Sequence, residues 1–198
     1  YRIEPLQSVH SRSFIGESNA LTLSDIKMTS NDFDLTGSEA LRSVFRNHAS
    51  GIALITALDS DGNPIGFTAS SVTSLGSTPP LVSFNIAQGS SSYPHLVAGS
   101  PVALHTLDAN TLHLAQRLAG PKDQRFTGDE ATGQGNVPIF EQCPAILVGR
   151  IRERFEVESN AVVVLEVESS RVSAVPSKPL VYFQRGYYTI GEKLADNS

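Results

Sequence analysis

The chain has 198 residues, 40% of them apolar and 18% charged, which suffices for one ordinary hydrophobic core. Its net charge of −5 and pI of about 5.5 argue against nucleic acid or an anionic membrane as the main partner. No apolar run approaches the roughly 18 residues of a membrane span, and the one cysteine, Cys143, has no internal disulfide partner, so a reducing cytoplasm is the expected location.

Met28 is the only methionine, and residues 1–27 before it mix scattered Ser and Asn with isolated apolar residues. They lack the continuous apolar core of a secretory signal and are expected to be an added or disordered extension ahead of one working domain, residues 28–198. Thr36-Gly37-Ser38-Glu39 has the pattern of a capping box. Leu41, Val44, Phe45 and His48 follow at helical spacing, which predicts a helix over 38–49 ended by Gly51. Residues 52–58 read as a strand apolar on both faces, Asp59-Ser60-Asp61-Gly62-Asn63 as a hairpin turn, and 64–68 as the returning strand.

From Gly66 to Pro80 the chain becomes a run of hydroxyls and small residues, expected to be a loop. Such a loop fits either a solvated connection or a binding loop, because hydroxyls donate and accept while small side chains let a ligand approach the backbone. Residues 81–86 alternate, with Val82, Phe84 and Ile86 on one side. Gly89-Ser90-Ser91-Ser92 breaks the pattern before a short helix at 93–97 with Pro94 in its first turn.

Residues 101–107 predict a strand, and Leu112, Ala115 and Leu118 predict a helix over 111–119, stopped by Gly120-Pro121. Residues 120–142 read as loop. Residues 145–157 and 161–169 read as a long antiparallel pair joined near Glu158-Ser159-Asn160, with Arg150, Arg152 and Arg154 facing Glu166 and Glu168 as a solvated charge ladder. Residues 180–189 form the last predicted strand. Six or more strands in hairpin order with few helices predict a mainly β fold: an antiparallel Greek-key barrel, closed against exposed edges, with a few peripheral helices.

Several of these stretches together resemble a known family. They are Phe45-Arg46-x-x-Ala49-x-Gly51-Ile52-Ala53-Leu54-Ile55-Thr56-Ala57, Asp61-Gly62-x-Pro64-x-Gly66-Phe67-Thr68-Ala69-Ser70-Ser71, Pro79-Pro80-Leu81-Val82, Arg125-Phe126-Thr127-Gly128 and Pro179-Leu180-Val181-Tyr182. In that order, over roughly residues 38–188, they resemble the flavin reductase family of the FMN-binding split β-barrel.

The resemblance implies FMN or FAD as the flavin, NADH or NADPH as the hydride donor, a homodimer, and a flavin-dependent monooxygenase as recipient of reduced flavin. It also implies that Thr68, Ala69, Ser70, Ser71 and Ser74 meet the isoalloxazine ring and upper ribityl chain. Ser90, Ser91 and Arg125, the last beside Phe126, would meet phosphate, with Ser92 either joining them or capping the short helix. His105 would reach the ribityl chain or ring edge, or else be satisfied inside the barrel; Asn160 and Tyr187 would border the nicotinamide. In the turn where many relatives read Gly-Asp-His, this chain reads Glu158-Ser159-Asn160, and Asn160 cannot carry a proton near neutral pH. That departure leaves room for a flavin carrier with little nicotinamide turnover, and a cofactor-free interaction module is a third reading. His48, His95 and His113 have no metal-ligand spacing, so no metal is expected, and no Gly-x-Ser-x-Gly elbow supports a serine hydrolase.

Overall fold

The structure, a computed structural model, describes residues 35–191; the Met28 boundary and the segment before it lie outside the described residues. The elements in order are α1 (Gly37–Arg46), β1 (Ser50–Gly51), β2 (Ala53–Leu58), β3 (Pro64–Ala69), β4 (Thr73–Ser77), β5 (Pro80–Ala87) and β6 (Pro101–Thr106). Then come α2 (Leu112–Ala119), β7 (Ala131–Thr132), β8 (Pro138–Ile139), β9 (Ala145–Val157), β10 (Asn160–Val172), β11 (Leu180–Phe183) and β12 (Gly186–Thr189). Single 3-10 turns punctuate the connections, among them Tyr93–His95.

Seven strands form one antiparallel sheet in the order β3-β2-β6-β9-β10-β5-β4, while β1-β11-β12 make a small second sheet. The edge strands β3 and β4 are consecutive in sequence and joined only by Ser70-Ser71-Val72. A flat seven-stranded sheet would hold its edges about 29 Å apart, at about 4.8 Å per strand. From Ala69 to Thr73 the chain can span only about 14 Å. The sheet must therefore curl, and it does so until its ends share one interior: Phe67 of β3 and Phe84 of β5 lie 6.1 Å apart between ring centroids. The edges β3 and β4 do not pair with each other. The barrel is split there, rather than closed, and the three-residue connection bridges the split.

Two cores result. Inside the curl are Ile55, Ile65, Ala69, Val82, Phe84, Ile86, Val102, Leu104, Ile151, Val163 and Leu165. Outside it, α2 lays Leu114, Ala115 and Leu118 against Ile52, Leu54, Phe140, Ile146 and Leu180. Asp108 starts the turn that leads into α2, its carboxylate accepting from the N–H groups of Asn110 (3.0 Å) and Thr111 (3.1 Å).

Four local expectations need correction. Thr36 makes no side-chain capping bond, and α1 stops at Arg46. A third of the expected 66–80 loop is β4, paired to β5 as a hairpin; its side chains are all exposed, so no apolar alternation betrayed it. The last strand is two, β11 and β12, turning at Gln184 (φ 48°) and Arg185 (φ 65°), residues without the usual glycine signal. In the charge ladder Arg150 pairs with Glu168 (3.0 Å) and Arg152 with Glu166 (3.6 Å). Arg154 instead lies over the Tyr93 ring, 4.2 Å from its centroid, and donates to the Tyr93 and Leu96 carbonyls. Among the described residues no helix is long and apolar enough to cross a membrane, and no three His, Cys, Asp or Glu side chains cluster as metal ligands.

Candidate functional site

The connection that bridges the split forms one wall of a cleft of about 590 Å³, inside the usual range of small-molecule sites, about 300–1,000 Å³. Ser70, Ser71, Val72 and Thr73 face Asn85 of β5 and a second wall from Phe45 to Gly51, which carries the Phe45 and His48 side chains. The wall is fixed locally: the Ser71 hydroxyl accepts the Asn85 N–H at 2.9 Å, tying the connection to β5. One aromatic ring, several hydroxyls and exposed main chain suit a planar ring with polar edges. A cleft of about 430 Å³ beside Asp108, Cys143 and Arg171 contains none of the predicted residues.

The predicted residues divide by position. Ser70 and Ser71 line the cleft. Ala69 is buried in the inner core, and Thr68 faces the other way, its hydroxyl donating to the Ala115 carbonyl of α2 at 2.7 Å. Ser74 is exposed on β4 opposite Val82. Asn160 is exposed at the start of β10, opposite Ala87, and Val162 stands opposite Asn85. The Asn160 turn therefore lies on the same outward sheet face as Asn85, one strand over.

Ser90 and Ser91 occupy the turn just beyond Ala87, where the Ser90 hydroxyl accepts from the Ser92 N–H at 3.4 Å. Ser92 is buried, and its own hydroxyl has no partner. A buried unsatisfied hydroxyl costs about 1–3 kcal/mol.

The remaining predicted residues are engaged elsewhere. Arg125 donates from Nε to the Gly120 carbonyl (3.0 Å) and from Nη1 to the Gly66 carbonyl (2.8 Å). Phe126 stacks on Phe140 at 6.0 Å. His105 is buried between β2 and the 140 region: its Nε2 accepts the Phe140 N–H (3.2 Å) and its Nδ1 lies 3.4 Å from the Leu54 carbonyl, so both nitrogens serve the protein. Burial holds its pKa down at about 4. Tyr187 is half-buried against Tyr182, 5.3 Å between rings, on the outer core; burial raises its pKa. Burial likewise pushes the Cys143 thiol up to about 12, which leaves no thiolate for chemistry.

Phe45, His48 and Asn85 escaped the sequence reading of the site. The motif beginning at Phe45 contained a signal for the first, His48 falls on one of its unspecified positions, and for Asn85 the signal was a polar residue on the solvent side of an alternating strand.

Comparison with known proteins agrees. A family model for the flavin reductase like domain matches residues 45–191. An NADH:FMN oxidoreductase of Rhodococcus qingshengii is 35% identical over 152 residues, covering 74% of this chain and 79% of the relative. A reductase subunit of stachydrine N-demethylase from Rhizobium meliloti is 29% identical over 156 residues, 78% of this chain and 67% of the subunit. The crystal structure of a flavin reductase domain protein from Arthrobacter sp. FB24 superposes with a TM-score of 0.74 at 35% identity, covering 80% of this chain and 98% of that one. Sequence, split barrel and cleft converge, and the chain belongs to the flavin reductase-like family.

Proposed function

We propose that the protein is an NAD(P)H-dependent flavin reductase, binding FMN or FAD at the split of the barrel and supplying reduced flavin to a separate monooxygenase. The observation that carries this reading is the cleft bridged by Ser70-Ser71-Val72, which falls inside the family match over 45–191. The names of the Rhodococcus oxidoreductase and of the stachydrine N-demethylase subunit support the reaction and the partner class.

When bound, flavin and nicotinamide together supply both ends of a hydride transfer. The chain's share is orientation, and holding reacting atoms about 3–3.5 Å apart is worth several kcal/mol of barrier. Ser70, Ser71 and the adjoining main chain read the polar ring edge, Asn85 extends that wall, and Phe45 offers an apolar face. Ser90 and Ser91, in the turn beyond Ala87, would serve the phosphate end. Asn160, exposed one strand over from Asn85, would offer the nicotinamide a hydrogen bond without moving a proton.

A homodimer completes the reading. Leu41, Val44 and Phe45 present an exposed apolar stripe on α1 next to the cleft, and a second copy seated there both covers it and deepens the site. The cytoplasm suits a chain whose one cysteine is a buried thiol.

Anaerobic stopped-flow mixing tests the function. Flavin bound to the protein loses its visible absorbance on addition of NADH or NADPH at a rate that saturates with donor concentration. Flavin that binds but does not bleach identifies a carrier, the alternative that Asn160 favours; no flavin binding removes both readings.

A further inference from the structure

The segment that leads into the cleft wall is held from behind. Phe67 and Ala69 of β3 point into the barrel, so Gly66 and Thr68 face α2 and the 120–126 turn. There Thr68 donates to the Ala115 carbonyl at 2.7 Å. Arg125 clasps the Gly66 carbonyl (2.8 Å) and the Gly120 carbonyl at the end of α2 (3.0 Å). Gly66 is pressed so closely that an added Cβ would stand 2.6 Å from the Ile55 carbonyl oxygen and 3.1 Å from Phe126 Cζ. No other residue type fits there without moving the strand. The clasp sits four and two residues before Ser70, and the Ser71–Asn85 bond fixes the far end. The bridge across the split is thus pinned on both sides.

We propose that Thr68 and Arg125 are positioning residues, which set the flavin-facing loop Ser70–Val72 by tying β3 to α2 rather than by touching the ligand. The inference rests on the flavin reading above. It assigns the Arg125 fork to two main-chain carbonyls, an arrangement in which charge-assisted bonds are short and directional. It also explains why Arg125 and Phe126 act together: the ring backs Gly66 while the guanidinium holds its oxygen.

Riboflavin, which is FMN without its phosphate, separates positioning from phosphate binding. Dissociation constants for FMN and riboflavin are measured by flavin fluorescence for wild type, R125A, T68V and T68S. Thr68→Val keeps the shape and deletes the hydroxyl; Thr68→Ser keeps the hydroxyl. We expect R125A and T68V each to weaken both flavins by about tenfold, the effect of losing one well-placed hydrogen bond. The FMN-to-riboflavin ratio stays at the wild-type value, and T68S binds as wild type does. In the same variants, hydrogen exchange quickens in residues 66–72 while β6 keeps its protection, a local signature that general destabilisation does not produce.

A loss confined to FMN in R125A overturns the assignment of Arg125, as does unchanged affinity for both flavins. If R125A does not fold, the Val and Ser pair at Thr68 decides: T68V equal to wild type, or T68S as weak as T68V, overturns the clasp. Wild-type protein that binds neither flavin overturns the functional reading, and this inference with it. Wild-type binding with the wrong variant pattern overturns the inference alone.

Discussion

Helices α1 and α2 carry the same kind of apolar stripe and meet opposite fates. In α2, Leu114, Ala115 and Leu118 are all 0% exposed, packed on the outer face of the curled sheet. In α1, Leu41, Val44 and Phe45 remain 60%, 66% and 61% exposed, and among the described residues none of the helix is buried. Covering such side chains is worth about 1.5–3 kcal/mol each. Periodicity thus marks the face that wants cover but not what covers it. The α2 side packs on the sheet and holds β3, whereas the α1 side borders the cleft and keeps its apolar stripe uncovered among the described residues, the surface proposed above for a second copy.

Mutating each stripe breaks that comparison most directly. Leu114→Ala opens a cavity in the outer core and lowers unfolding free energy by about 2–5 kcal/mol, read from urea denaturation. Val44→Ala, on the exposed stripe, changes the unfolding free energy at low protein concentration by no more than about 0.5 kcal/mol. Equal losses at both positions would mean that the two helices do not differ.

Acid sharpens the contrast. The buried His105 titrates at about 4 in the fold against about 6.5 when unfolded. Its contribution is complete above pH 6.5 and is lost as pH falls from there through 4, because the unfolded chain binds the proton first. A shift of this size is worth about 3 kcal/mol. Urea midpoints at pH 7.5 and 4.5 should differ accordingly in wild type and differ less in His105→Leu, whose stability is lower throughout.

On the α1 side, Leu41→Glu places a charge on the stripe without entering the cleft. It should weaken self-association about tenfold or more in sedimentation equilibrium, with flavin affinity falling at the same protein concentrations. Full flavin affinity in a strictly monomeric variant would detach the cleft from the partner surface. The smallest effect belongs to the exposed ladder: Arg152→Ala removes its 3.6 Å pair with Glu166 and should cost no more than about 0.5 kcal/mol, screened further by salt.

Much of the fold was legible because burial writes a short-range pattern. Val82, Phe84 and Ile86 alternate inward on β5, and Asp59 to Asn63 forms the expected turn, with Gly62 at φ 81° and the Asp59 carboxylate accepting from Asn63. β4 was not legible, since it is held by main-chain bonds to β5 and has no buried face. Of the cleft lining, Ser70 and Ser71 were named from the sequence and Asn85 was not, since it meets them through the fold and its bond to the Ser71 hydroxyl.

By itself the sequence determined where the apolar faces lie, where the glycine-marked turn at Asp59–Asn63 falls, and to which family the chain belongs, because apolar periodicity and ordered motifs are properties of neighbours along the chain. Only the tertiary structure decided that the Thr68 hydroxyl is used on Ala115, 47 residues away, and the Arg125 fork on Gly66, 59 away. It likewise decided that His105 serves the protein's own main chain and that three residues bridge the open barrel. Hydrogen-bond partners are chosen by which surfaces packing brings within about 3 Å, and no local pattern encodes that proximity.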